Sequence, residues 1–444
     1  MIIGASIAGL CAARVLSDFY ERVTVFERDE LPSTPVNRAA VPQGRHVHLL
    51  MARGAVEFEA LFPGLLDDMV AAGVPKLENR PDCIYFGAAG HLLGVGETLR
   101  DTFTAYVPSR PHLEWQIRRR AVDLGNVEIV QRAVREPRFD ADAARVTAVL
   151  IDDNDFVPAD LVIDAAGRGT RLPVWLEQWG YQRPRDEVVD VGISYASHQF
   201  RLPEGLIQER VIVAGASRAQ LRGLGMLGYE DGSWVITTFG VAKVQPPQSF
   251  PEMVRLAEEL LPSRLSRALA HAEPVGEVAF HRFPTSRWRR YDKLDRFPAG
   301  IVPFGDAVAS FDPTFGQGMT MTSLQAGHLR EALTDGQDVE RKVNRATAKT
   351  TYPVWTMNTI GDLNFHHAAG HAPWWYRPVG NLFDQFLGAA ETEPVLAEWF
   401  LRRFSLLDSL YMVPTPPLIA RAIRHNLGLW RAERRHARLI TSRQ

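Results

Sequence analysis

Cysteine is nearly absent from this chain: Cys11 and Cys83 are the only two in 444 residues. That excludes a disulfide scaffold and a cysteine-only zinc site, and it fits a reducing cytoplasm. Lysine is scarce too, supplying five of the 50 basic residues. Those 50 stand against 52 Asp and Glu, for a net charge of -2. No basic excess calls for nucleic acid, and no acidic excess calls for a cationic partner. No apolar run reaches the roughly 18 residues of a spanning helix. The apolar start, Met1 to Leu16, lacks a positive leader and is interrupted by Arg14, so it reads as structure rather than as a signal peptide. What is present is a globular composition, 46% hydrophobic and 23% charged. At about 100–200 residues per domain the chain holds several units or one interleaved fold.

Ile2-Ile3-Gly4-Ala5-Ser6-Ile7-Ala8-Gly9 opens a helical pattern that runs to Leu16, and Val23-Thr24-Val25-Phe26 follows as a strand ending at Glu27. In a dinucleotide-binding turn the first glycine permits the bend, the middle position lets backbone approach a pyrophosphate, and the last glycine lets helix pack on strand. The unpaired N–H groups of the helix start face the phosphates. Glu27 lies 18 residues beyond Gly9, close to the spacing of an acid that accepts ribose hydroxyls. Ser6 stands where the middle glycine is usual, and the strand before Gly4 is short. The alternative is a glycine-rich strand–helix turn that binds nothing.

A second such turn lies far along the chain. Ile301-Val302-Pro303-Phe304-Gly305-Asp306 reads as a strand ending in an acid, and Pro313-Thr314-Phe315-Gly316-Gln317-Gly318-Met319-Thr320 leads into a helical pattern reaching about Thr334. Two glycine-flanked helix starts suit a long ligand held at both ends, a pyrophosphate at one and an electron-rich group at the other.

Taken in this order, the motifs resemble those of class A flavoprotein monooxygenases, the group of para-hydroxybenzoate hydroxylase and squalene epoxidase. The resemblance covers residues 2 to 320. It implies an α/β fold in which a Rossmann-like FAD-binding domain (1–75, 102–181 and 286–345) is interleaved with a β-sheet substrate domain (76–101 and 182–285), followed by a helical C-terminal region (346–444). It implies non-covalent FAD, with Gly4, Ser6, Gly9, Glu27, Arg28, Arg38 and Val134 at the adenosine-diphosphate end. Asp306 would meet the ribityl or ribose hydroxyls. Arg110, Pro313, Gly316, Gln317, Gly318 and Met319 would lie around the isoalloxazine ring. NADPH or NADH would be the electron donor and O2 the oxidant, with a flavin C4a-hydroperoxide attacked by an alkene or aromatic substrate. One motif departs from the family pattern. In Asp164-Ala165-Ala166-Gly167-Arg168, alanine precedes the glycine where an Asp-Gly pair is usual. The form is shared with flavin reductases and halogenases of the same fold, so the nicotinamide-docking role of this motif stays open.

Val41-Pro42-Gln43-Gly44-Arg45-His46-Val47-His48 resembles a segment of bacterial polyether-type flavin epoxidases. His46 and His48 are candidates for proton handling; the alternative is a structural pair that holds the Arg38 loop. On a strand they would share a face, and no third ligand nearby suggests a metal. Leu224, Met226, Trp234 and Phe239 are candidates for an apolar pocket wall, against plain sheet packing. Tyr229-Glu230-Asp231-Gly232 reads as a hairpin turn. In the tail, His366, His367, His371, Trp374, Trp375 and Tyr376 read as a buried aromatic–histidine cluster. Residues 405–435 are amphipathic with an arginine-rich side, read either as a cap on the substrate domain or as a peripheral membrane contact. The expected function is oxygenation, by epoxidation or hydroxylation, of a small hydrophobic molecule of secondary metabolism. The rivals are a double-bond reductase of the geranylgeranyl-reductase type and a flavin halogenase.

Overall fold

A computed structural model describes residues 1–38, 41–78, 83–94, 104–152, 155–365, 368–370 and 374–441, with side chains as far as 431. The chain runs β1 (Ile2–Ile3), α1 (Ile7–Leu16), β2 (Val23–Glu27), α2 (Ala52–Leu61), α3 (Leu65–Ala71), β3 (Lys76–Glu78), β4 (Ile84–Ala88), β5 (His91–Leu92) and β6 (Thr104–Tyr106). It continues through α4 (Arg110–Val122), β7 (Val127–Gln131), β8 (Val134–Asp140), β9 (Arg145–Ile151), β10 (Asp155–Pro158), β11 (Val162–Asp164), α5 (Leu172–Gln178) and β12 (Asp186–Arg201). Next come β13 (Val211–Ala214), β14 (Arg222–Gly228), β15 (Ser233–Gly240), α6 (Phe250–Leu260), α7 (Ser263–Ser266) and β16 (Glu273–Arg289). The remainder is β17 (Ile301–Pro303), β18 (Ala309–Ser310), α8 (Gly318–Asp335), α9 (Val339–Asp362), β19 (Ala369–Gly370), α10 (Tyr376–Ala390), α11 (Pro394–Phe404) and α12 (Pro416–Thr441).

Two sheets organise the molecule. The first is a five-stranded parallel sheet in the order β17-β11-β1-β2-β7. Every residue of β2 is buried, as expected for a parallel strand covered on both faces. The apolar side of α1 lies in the same core as Phe304, Leu329 and Val343. Gly9 is what lets α1 sit so close. A Cβ there would stand 1.9 Å from the Gly4 carbonyl oxygen.

The second sheet is larger and mostly antiparallel, in the order β18-β16-β12-β15-β14-β13-β4-β5, with β19 beside β12. The expected hairpin turn joins β14 to β15. Strand alternation sorts its side chains onto two faces. Ala196, Phe200, Ile212, Leu224, Met226, Trp234 and Ile236 pack against Met253 and Ala257 of α6 and Leu265 of α7. The 182–285 insert therefore carries two helices of its own. Tyr195, Phe239 and Phe283 pack in a different cluster, on the face turned toward the parallel sheet.

The C-terminal helices close one end. Phe386, Trp399 and Phe400 pack with Leu93 beside the β4–β5 edge, and the Gly94 N–H donates to the Ala390 carbonyl at 2.9 Å. The boundary expected at 345/346 falls inside α9. The three clustered histidines lie outside the described residues. Trp374 is 89% exposed, which overturns the buried aromatic cluster expected around it. Among the described residues no helix is long and apolar enough to cross a membrane.

Gly9→Ala should destabilise the protein by about 2 kcal/mol or more, because backbone rather than a yielding side chain blocks the added methyl. Chemical unfolding of variant and parent checks this.

Candidate active site

The β1–α1 turn is built around a carboxylate. Glu27, 7% exposed at the end of β2, accepts the Ala5 N–H at 2.9 Å and the Asp29 N–H at 3.1 Å. Arg38 lies over the same turn. Its Nη1 stands 3.2 Å from Glu27 Oε2, its Nε donates to Glu114 Oε1 at 2.8 Å, and its Nη2 donates to the Ala5 carbonyl at 3.3 Å. Gly4 takes a left-handed φ of 99°, and the first helical hydrogen bond comes from Leu10 to Ser6. Nothing caps α1 with a side chain, so its leading amides are free for an anion. Arg28 is exposed just past β2, and Val134 opens β8 half-buried.

The second turn meets the first. Gly305 has φ 62°, and a Cβ on it would stand 2.8 Å from the Cβ of Ala8. Gln325 of α8 holds this turn, accepting the Gly305 N–H at 2.8 Å and donating to the Pro303 carbonyl at 3.1 Å. Arg289 clamps it from the other side, reaching the Asp306 and Ala307 carbonyls and the Arg168 carbonyl. Asp306 is solvent-accessible yet surrounded by protein, which places its carboxyl in a cleft. Enclosure raises its pKa, and Arg168, Arg110 and Arg289 oppose that rise.

The loop that follows is rigid where it matters. Asp312 Oδ1 accepts the Thr314 N–H at 2.8 Å and caps the turn that Pro313 begins. Its carboxyl is hydrogen-bonded to that of buried Asp362, and burial together with the Asp312 charge pushes the Asp362 carboxyl well above the usual carboxylate range. Gly316 takes φ 67°, and Gly318 starts α8 with nothing within 4 Å of where a Cβ would be. Met319 is half-buried beside it. Gln317 Nε2 donates to the Phe404 carbonyl at 3.0 Å, so the C-terminal region is tied to this loop.

The sheet contributes a polar patch. The Val47 N–H donates to Thr237 Oγ1 at 3.0 Å, Thr237 and Ser197 hydroxyls lie 2.5 Å apart, and Ser197 Oγ is 2.6 Å from His46 Nδ1. Thr237 and Ser197 are buried. Either direction of donation along this relay leaves one proton without a partner in it, on His46 Nε2 or on Thr237 Oγ1, so both ring tautomers fit the geometry. The His46 ring stands edge-on to Tyr195 at 4.4 Å, with His281 at 6.1 Å. Burial, with His48, His281 and Arg45 nearby, lowers the His46 pKa to about 3. His48 donates from Nδ1 to the His46 carbonyl at 2.9 Å, and enclosure and Arg110 lower its pKa to about 4. Both rings are therefore neutral near pH 7. The segment is a 3-10 turn over Pro42–Arg45 followed by irregular chain, not a strand presenting two histidines on one face.

With this geometry established, the comparisons are decisive. The description "Mycobacterium Rv3254 C-terminal domain" matches residues 370–436. Protein Rv3254 of Mycobacterium tuberculosis strain H37Rv is 69% identical over 460 residues, covering 100% of this chain and 97% of that protein. The chain belongs to the Rv3254 family. More distantly, a kynurenine 3-monooxygenase of Salinispora arenicola is 27% identical, covering 79% of this chain and 74% of its own length. Among solved structures, the flavin-dependent brominase Bmp2 superposes with TM-score 0.64 at 15% identity, covering 96% of this chain and 98% of Bmp2. Pseudomonas aeruginosa PqsL does so with TM-score 0.60 at 15% identity, covering 89% and 98%. The family thus has the fold of class A FAD-dependent monooxygenases.

The residues present fit FAD. Buried Arg110 Nε and Gln317 Oε1 find no hydrogen-bond partner, and the Asp306 carboxyl is hydrogen-bonded by no described residue. Glycine keeps the two turns beside them clear. The sequence reading missed Arg168 and Arg289, whose nearest signal is the Gly167-Arg168-Gly169 string. It also missed Tyr195, Ser197, Thr237 and His281, which no motif marks. The proposed pocket wall needs correction. Leu224, Met226 and Trp234 point away from the site into the α6–α7 core, because strand alternation puts them on the far face; Phe239 alone of the four lies on the near face. Asp164 is fully buried and accepts from Thr170 Oγ1 and the Ala166 N–H, so it holds the Gly167–Gly169 turn.

Asp306→Ala should weaken FAD binding by ~1.5–3 kcal/mol, roughly 10- to 150-fold, measured by flavin fluorescence titration. A folded-state pKa far below 6.5 makes His46 stabilise the fold fully above pH 6.5 and progressively less as pH falls toward about 3. On going from about pH 7 to about pH 5, the parent should lose on the order of 2 kcal/mol more stability than His46→Gln, read from urea unfolding at both values.

Proposed function

We propose that the protein oxygenates a small alkene or aromatic molecule, using FAD, a nicotinamide donor (NADPH or NADH) and O2. The observation that carries this reading is the meeting of two glycine turns, with Asp306 and the free α1 amides beside one another and four arginines around them. Bound FAD would supply the hydride-accepting and O2-activating chemistry. Glu27 and Arg38, with Gly4, Ser6, Gly9, Arg28 and Val134 nearby, would hold the adenosine-diphosphate end. Asp306 would accept hydroxyls of the ribityl chain. Arg110 and the Gly316–Met319 amides at the start of α8 would face negative charge on the ring as preorganised donors. The Phe404 tie to Gln317 would hold the C-terminal region over this loop and help exclude water.

The β-sheet stretches 76–101 and 182–285 would form the substrate side, and 1–75, 102–181 and 286–345 the FAD side. The near face of the sheet presents Tyr195, His281 and Phe239, with His46 beside them, in place of most of the apolar wall expected from the sequence. The His46 ring, held through Nδ1, offers a hydrogen-bonding edge to a substrate. We therefore favour a substrate with an apolar reacting carbon and a polar group nearby, oxygenated by epoxidation or hydroxylation.

The test is oxygen uptake by FAD-loaded protein with NADPH or NADH and a panel of alkenes and phenols, with products weighed by mass spectrometry. Oxygen consumption should match an oxygenated product of mass +16 per turnover. A saturated product without oxygen uptake, or a brominated product that appears only with bromide, would replace this reading.

A further inference from the structure

The family-matched C-terminal segment carries an apolar surface that no described residue covers. Helix α12 has two apolar faces. One, with Leu418 and Ala422, packs into the core formed with α10 and α11. The other holds Ile419, Ile423 and Leu427, each 42–55% exposed. Their spacing of four and four residues forms one continuous stripe along the helix. Asn426 donates to the Gln385 carbonyl at 3.0 Å. That bond ties this side of α12 to α10, where Val379 and Leu382 are also exposed, Leu382 at 69%.

Charge borders the stripe on one side. At 100° per residue, Arg424 and Arg431 fall next to Leu427, and both are exposed. A helix whose uncovered apolar stripe is edged by arginines, while its opposite face is anchored in the protein, matches an anionic bilayer surface. The apolar side chains enter the acyl boundary, and the guanidinium groups reach phosphate oxygens at the headgroup level. A soluble helix covering a core needs the first apolar face and not the second.

We infer that α12, with the adjoining exposed edge of α10, docks the protein peripherally on a membrane rich in anionic phospholipid. This inference is independent of the reaction catalysed. It places the folded enzyme at the surface where apolar substrates dissolve.

The test is co-sedimentation of the full FAD-loaded chain with vesicles of phosphatidylcholine alone and of phosphatidylcholine mixed with phosphatidylglycerol. The parent should sediment with the mixed vesicles, at least tenfold less with phosphatidylcholine alone, and less as salt rises. The double variants Ile423→Asp/Leu427→Asp and Arg424→Glu/Arg431→Glu should each lose at least tenfold in vesicle binding. Their flavin absorbance and oxygen uptake in detergent-free buffer should stay at the parent level, showing that the fold survives. Absence of binding to either vesicle overturns the inference. So does a parent that elutes as a dimer which Ile423→Asp/Leu427→Asp converts to monomer without any vesicle binding, because a second copy would then cover the stripe.

Discussion

The site depends on one close approach of backbone to backbone. Gly9 brings α1 onto the Gly4 carbonyl, and Gly305 brings the second turn onto Ala8, at separations that no Cβ could share. Because of this contact, free amides from the beginning of the chain and the Asp306 carboxyl from its later part open into one cleft. Gln325 and Arg289 then fix the second turn by its own backbone groups. Buried backbone atoms are satisfied there by side chains, so the turn keeps its shape without a ligand.

Charge is distributed around this cleft with little slack. Arg38 bridges Glu27 and Glu114, and Glu114 also lies 3.6 Å from Arg110. Buried ion pairs of this kind gain little net stability, since desolvation offsets attraction. They do fix geometry, and arginine suits the task because it stays charged and presents a planar fork of donors. Buried polar atoms left unpartnered, such as Arg110 Nε and Gln317 Oε1, are costly in isolation, and a polar ligand bound beside them would relieve that cost.

The two faces of the large sheet divide structure from chemistry. The far face is an apolar core closed by α6 and α7. The near face holds the Thr237–Ser197–His46 relay and the aromatic pair of Tyr195 and His281. A neutral, hydrogen-bonded histidine in such a setting is a positioned polar group rather than a pH switch. The C-terminal helices link this centre to the outside of the molecule, since the Phe404 carbonyl of α11 accepts from Gln317 in the loop before α8 while α12 presents exposed residues.

Local chemistry was legible in the sequence. The glycines, Glu27, the Gly305-Asp306 pair and the start of α8 announced themselves because a tight turn and a helix start need particular residues at fixed spacing. The Tyr229–Gly232 hairpin was legible for the same reason. The sequence could not say which face of β14 and β15 looks inward. Period-two alternation is the same for either choice, and only the placement of α6 and α7 decided that Leu224, Met226 and Trp234 belong to the core. Nor could it join Arg168, Arg289, Ser197 and Thr237 to the site, because residues so far apart along the chain become neighbours only through the packing of one sheet on the other.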